Sequence, residues 1–109
     1  MKKSDKKMDN ALRLALTEVC EQAKENHTGF EWLTHQVNYA DFPRSLAIIC
    51  VFDTRHHVEQ ADKASIITQI KHALRPLNVS LNNADKQIRF DSEESCALEH
   101  QGRWNKRLS

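Results

Sequence analysis

Apolar residues recur at helical spacing, then alternate, then crowd into one unbroken run, and this succession divides the chain into elements. From Asp5 to His27, the positions Met8, Ala11, Leu12, Ala15, Leu16, Val19, Cys20 and Ala23 return every three or four residues. That spacing predicts one face of an amphipathic helix of about six turns. Ser4 or Asp5 is placed to cap its start, and Gly29 to end it in the left-handed conformation. Phe30 to Tyr39 (FEWLTHQVNY) then alternates. Leu33, His35, Val37 and Tyr39 share one face, while Trp32, Thr34, Gln36 and Asn38 take the other, as in a half-buried strand. Ser45 to Asp53 (SLAIICVFD) holds the one sustained apolar run, Leu46 to Phe52. Its length and β-branched content predict a strand buried on both faces. Turn chemistry at Ala40 to Arg44, with Pro43 ending any pairing, joins the two strands as an antiparallel hairpin.

The second half is more polar. Thr54 to His57 reads as a loop, and Ala61, Ala64, Ile67, Ile70, Ala73 and Leu74 predict a helix over Val58 to Leu74, with Pro76 just past its end. Val79 and Leu81 suggest a short strand, Asn82 to Asp85 a turn, and Lys86 to Asp91 a half-exposed strand. Asp91 or Ser92 caps a short helix from Glu93 to His100, which Gly102 stops. The expected fold is one α+β domain over residues 1–109. It has an antiparallel sheet of three or four strands and two main helices, in the order α-β-β-α-(β)-β-α. Residues 1–5 and 103–109 are expected to be flexible.

Composition narrows the function classes. With 109 residues the chain can bury about two thirds of its unfolded surface. Sixteen basic against fifteen acidic residues leave a formal charge of +1, so no global field favours nucleic acid. Cys20, Cys50 and Cys96 form an odd, widely spaced set, which argues against a disulfide framework or a zinc finger. The basic MKKSDKKMDN start is followed by no apolar core of a signal peptide, and no stretch approaches a membrane span. A reducing cytoplasm is the expected setting.

Several constellations carry possible chemistry. Cys96 and His100 lie one helical turn apart, and His56 and His57 follow the central strand, a set with the softness for zinc. No second spaced pair supports it, so neither a metal nor a cofactor is expected. Asp53 with His56 or His57 and Cys96 would have the parts of a nucleophilic site, yet no known catalytic signature accompanies them, and an enzyme is not expected. Asp91, Glu93 and Glu94 fit a helix N-terminus better than a cation site. The tail Arg103, Trp104, Lys106 and Arg107 pairs cations with an aromatic, the composition of a nucleic-acid contact.

The central strand poses the sharper question. Leu46, Ile48, Cys50 and Phe52 form one apolar face and Ala47, Ile49 and Val51 the other, and both need cover. Two helices on opposite sides would supply it. If they share one side, a second copy must close the face of Ala47, Ile49 and Val51, which makes a homodimer an expectation.

The strings GFEWLTH, FPRSLAIICVFD and IRFDSEE resemble those of small bacterial proteins labelled Fis-like transcriptional regulators. That resemblance implies DNA binding through a helix-turn-helix, for which Glu93 to His100 and Arg103 to Leu108 are the candidate helices. The element order is also similar to that of type II KH domains and ribosome-binding factor A. Those approach RNA with a GxxG loop or a small-residue kink, where this chain has Arg75-Pro76-Leu77. The expected role is a non-catalytic interaction or regulatory module that self-associates. The alternative is a nucleic-acid-binding protein that uses its basic tail.

Overall fold

The periodic stripe of the first segment does form a helix. In the computed structural model, which describes residues 2–109, α1 spans Lys3–Asn26 and buries Leu12, Leu16, Val19 and Ala23 along one side. Its 24 residues make a rod about 36 Å long. Lys2 stands at the N-cap position and no side chain caps the helix, so Ser4 and Asp5 fall inside the first turn instead. Of residues 1–5, expected to be flexible, Met1 lies outside the described residues, whereas Lys3 to Asp5 already form the first turn of α1. After α1 the chain turns at Gly29, whose φ of +83° suits glycine alone.

Strand β1 (Phe30–Gln36) pairs antiparallel with β2 (Ala47–Phe52), as the hairpin reading requires. It ends three residues short of Tyr39, where a 3₁₀ turn begins. An irregularity between Phe30 and Trp32 shifts the register, so Glu31 is extra. A bulge of this kind resets the side-chain alternation. Phe30 therefore packs edge-on to Phe52 in the main core, with ring centroids 5.3 Å apart, while Trp32 joins the opposite face.

The expectation of an all-antiparallel sheet needs correction. Strand β3 (Ile88–Ser92) lies on the other side of β2 and runs parallel to it, giving the order β1-β2-β3. The reason is the long helical connection from β2, which carries the chain back to the sheet's starting end before β3 begins. That connection is two helices, not one from Val58 to Leu74. Helix α2 (Arg55–Gln60) is capped by Thr54, and α3 (Lys63–Leu74) by Asp62, whose carboxylate accepts from Ser65 N at 3.1 Å. A capping aspartate between them stops one helix and starts the next. Val79 to Leu81 form no strand, and a single turn of helix, α4 (Ala84–Gln87), replaces the start of the expected last strand. Ser92 caps α5 (Glu93–His100), and the tail adds α6 (Trp104–Arg107).

Helices α1 and α3 pack together on one face of the sheet, over Ile48, Cys50 and Phe52 of β2. With Leu12, Leu16, Ile66, Ile70 and Leu74 these residues make the main core. One buried polar side chain closes its lower end. Gln87 Nε2 donates to the carbonyls of Pro43, Arg44 and Leu46 at 3.0 to 3.3 Å, while its Oε1 accepts from Asn83 N. The loop that enters β2 is thus tied to the helix that enters β3. Gln87→Leu would leave those carbonyls without their side-chain donor, the buried one of Leu46 most of all. We expect it to cost about 2–4 kcal/mol. Urea unfolding should show a lower midpoint with an unchanged slope.

Candidate functional site

The second face of β2 is covered from within the chain. Ile49 and Val51 are 2% and 0% exposed, so they offer no open surface to a second copy, and Ala47 is only half-buried. Helices α5 and α6 lie on this face. The segment expected to trail as a flexible tail is held there by a polar clasp. Arg107 forks onto Asp91 of β3, Nε to Oδ2 at 2.5 Å and Nη2 to Oδ1 at 2.9 Å. Its Nη1 also reaches Glu99 Oε2 at 2.9 Å, the Ser95 carbonyl and His100 Nδ1. A bidentate guanidinium pair at 15–20% exposure is strong and geometrically specific. These partners hold the Arg107 proton more tightly than usual, the Asp91 hydrogen bond first. Trp104 packs edge-on against Trp32, centroids 4.9 Å apart, and both indole N–H groups donate to Glu93 Oε1, at 3.1 and 2.7 Å.

Two of the four tail residues assigned to nucleic acid, Trp104 and Arg107, are therefore used inside the molecule. Arg103 and Lys106 are exposed. The second helix of the candidate helix-turn-helix is one turn long and faces inward through these two side chains. Asp91, Glu93 and Glu94 hold Arg107, the tryptophans and the Arg55 backbone N–H respectively.

The titratable set divides in two. Asp53 at the end of β2 accepts from Thr54 N and meets His57 Nδ1 at 2.6 Å. The His57 hydrogen bond is the main reason its carboxyl sits below the usual range. Gly29 closes over this pair, because a Cβ there would collide with both His57 Nδ1 and Asp53 Oδ1. Cys96 is fully buried, and burial pushes its thiol up, away from the thiolate that a nucleophile needs. His100 is committed to Arg107, and His56 stands exposed. Among the described residues, no three His, Cys, Asp or Glu side chains gather as a metal site. Cys50, in the main core, is pushed up to about 12 by burial.

A groove that pattern reasoning missed runs between α1 and β1. It encloses about 710 Å³ and is lined by Leu16 and Cys20 from the helix and by Leu33, His35 and Val37 from the strand side. At one end Asp9 Oδ1 accepts from Tyr39 OH at 2.8 Å and meets His35 Nε2 at 3.3 Å, while Arg13 pairs with Oδ2. The Tyr39 bond is the leading cause that holds the Asp9 carboxyl low, and burial pushes the phenol up. Alternation placed His35 and Tyr39 on one strand face, whereas Tyr39 lies in the 3₁₀ turn beyond the end of β1. Their meeting with Asp9, 26 residues away from His35, was not readable.

Arg107→Ala should cost about 2–3 kcal/mol, below the value for a fully buried pair because solvent screens it partly. Trp104 should leave Trp32, which shows as a red shift of tryptophan emission. Asp9 and Asp53 are both lower in the folded chain than their ordinary 3.8, so the unfolded state binds protons first as acid is added. Their contribution is complete above about pH 4 and is lost as pH falls through the folded values. The urea midpoint between pH 6 and pH 2.5 should fall less steeply in the Asp9→Asn, Asp53→Asn double variant.

Comparison with family models, with curated proteins and with solved structures gives no match, so the chemistry of these surfaces is read from their own residues.

Proposed function

We propose that the protein is a non-catalytic interaction module that self-associates through the free edge of β1. The observation that carries this reading is the asymmetry of the two sheet edges. Strand β3 carries Arg89 and Asp91 along its length, and α2 packs beside it. Such charges and cover are the ordinary guards against strand addition. Strand β1 reads FEWLTHQ, with no lysine, arginine or proline, and its one carboxylate sits at the bulge. Alternate residues of an antiparallel edge strand turn their N–H and C=O groups away from the partner.

An added strand would find backbone partners on β1 and half-buried apolar side chains at Leu33, Val37 and Cys20. A second β1 satisfies this geometry by antiparallel pairing about a two-fold axis, which joins two three-stranded sheets into one. Self-association by this edge leaves Ile49 and Val51 undisturbed.

Sedimentation equilibrium from 10 µM to 1 mM tests it, with a concentration-dependent dimer expected. Of the neighbouring residues Thr34 and His35, one turns its N–H to β2 and the other outward. Thr34→Pro and His35→Pro should therefore differ. The proline that keeps the melting temperature near that of the parent should weaken dimerisation at least tenfold. A monomer throughout the range, or an unweakened dimer in the folded proline variant, overturns the reading.

A further inference from the structure

Near-neutral composition conceals a segregation of charge along the sheet axis. Because β2 and β3 are parallel, their far ends lie together, and there Asp53, Glu93 and Glu94 follow the strands, with Glu31 at the adjacent start of β1 and one cation, Arg55, bound among them. At the near ends stand Arg44 before β2, and Lys86 and Arg89 around the start of β3, with Asp85 the acidic neighbour of Lys86. Helix α3 ends toward the same pole, where Lys71 and Arg75 border the loop leading to Ser80.

Two surface depressions, of about 420 and 380 Å³, meet at Ser80 and make this pole concave. Neither is lined by a carboxylate. The first holds Lys71 and Arg75, the second Arg44, Lys86 and Arg89. Arg44 is offset by Asp41, but among the described residues Lys71, Arg75, Lys86 and Arg89 form no ion pair, and all four are exposed. Asn78, Asn82 and Asn83 line the same two depressions with neutral donors and acceptors.

We infer that this concave pole binds the phosphodiester backbone of a nucleic acid, a surface separate from the β1 edge and from the C-terminal tail. Unpaired cations interspersed with amides and hydroxyls are the groups that contact phosphate oxygens and sugars. No aromatic lines the depressions, so stacking on splayed bases is not the mode, and a duplex is the better fit. A membrane surface fits less well. Peripheral binding wants apolar side chains to insert, and the exposed large ones, Leu14 and Leu98, lie on α1 and α5 away from this pole.

The full chain is titrated into fluorescein-labelled 20-mers, as duplex DNA, duplex RNA and single strands, with anisotropy as the readout. Four cations engaging phosphates predict a slope of log K against log salt of about −3.6 on duplex DNA, a loss of about a hundredfold between 50 and 200 mM. The DNA and RNA arms show which backbone is preferred. Lys86→Glu/Arg89→Glu and, in the other depression, Lys71→Glu/Arg75→Glu should each weaken binding at least tenfold with circular dichroism unchanged. Arg103→Ala/Lys106→Ala should stay within twofold of the parent. Flat isotherms at 50 mM salt on every arm overturn the inference. So does a loss confined to the tail variant, or binding seen only with vesicles of 30% phosphatidylserine in phosphatidylcholine.

Discussion

A strand that is dry on both sides cannot stop at one layer of helices, and β2 imposes this demand on everything around it. Its main-core face is met by α1 and α3, whose apolar stripes are long enough to hold by burial alone. The other face, Ile49 and Val51, is met only by α5 and α6, eight and four residues long. So short a cover buries little apolar area, and about 25 cal/mol per Å² does not fix it against the entropy of a chain end. The clasp of Arg107 on Asp91 and Glu99, with two indoles sharing Glu93, supplies the directionality that burial lacks. The basic aromatic tail owes its composition to this fastening.

How much was legible follows the same division. Helix α1, the β1–β2 hairpin, the two-faced character of β2 and the Ser92 cap were all readable, because each rests on local periodicity or on one side chain beside its own backbone. The direction of β3 was not. Ile88 and Phe90 alternate identically in a parallel or an antiparallel ladder, and only the path of the preceding helices decides. The break between α2 and α3 was obscured because Ala61 keeps the apolar stripe in phase across it, although Asp62 three residues before Ser65 is a capping signal. Among site residues, the side-chain types of the tail were readable but their orientation was not. Arg107 is a solvated cation or a buried clasp according to whether Asp91 faces the same side of the sheet, a question of register.

The near-equality of acids and bases misleads for a related reason. A net charge describes the chain, whereas a partner meets a surface. Once β2 and β3 run parallel, Asp53 at the end of β2 and the acidic start of α5 collect at one end, and the basic end of α3 and the entries to β2 and β3 collect at the other. Part of this is helix electrostatics: carboxylates favour helix starts, cations favour helix ends, and parallel strands align both. Topology therefore gathers local preferences at helix and strand ends onto shared poles, and the same sheet direction that hides β3 from pattern reading brings the basic depressions together.

The two surfaces assigned here follow from one constraint seen from different sides. With β2 at the centre of three strands, one edge must be β1 and the other β3. The helical connection that makes β3 parallel also places α2 beside its edge, while β1, against which α1 packs, carries no lysine, arginine or proline along its own. A dimer built on β1 runs the two sheets in opposite senses, so the two basic poles point to opposite ends of the joined sheet. A duplex could then be held at either end of the dimer, but not by both poles at one contact. If both surfaces operate in one molecule, binding to a short duplex should not depend on dimerisation, and dimerisation should link separate segments of nucleic acid. A 20-mer would bind the proline variant that stays monomeric as tightly as the parent, whereas only the parent would bridge two labelled duplexes in solution.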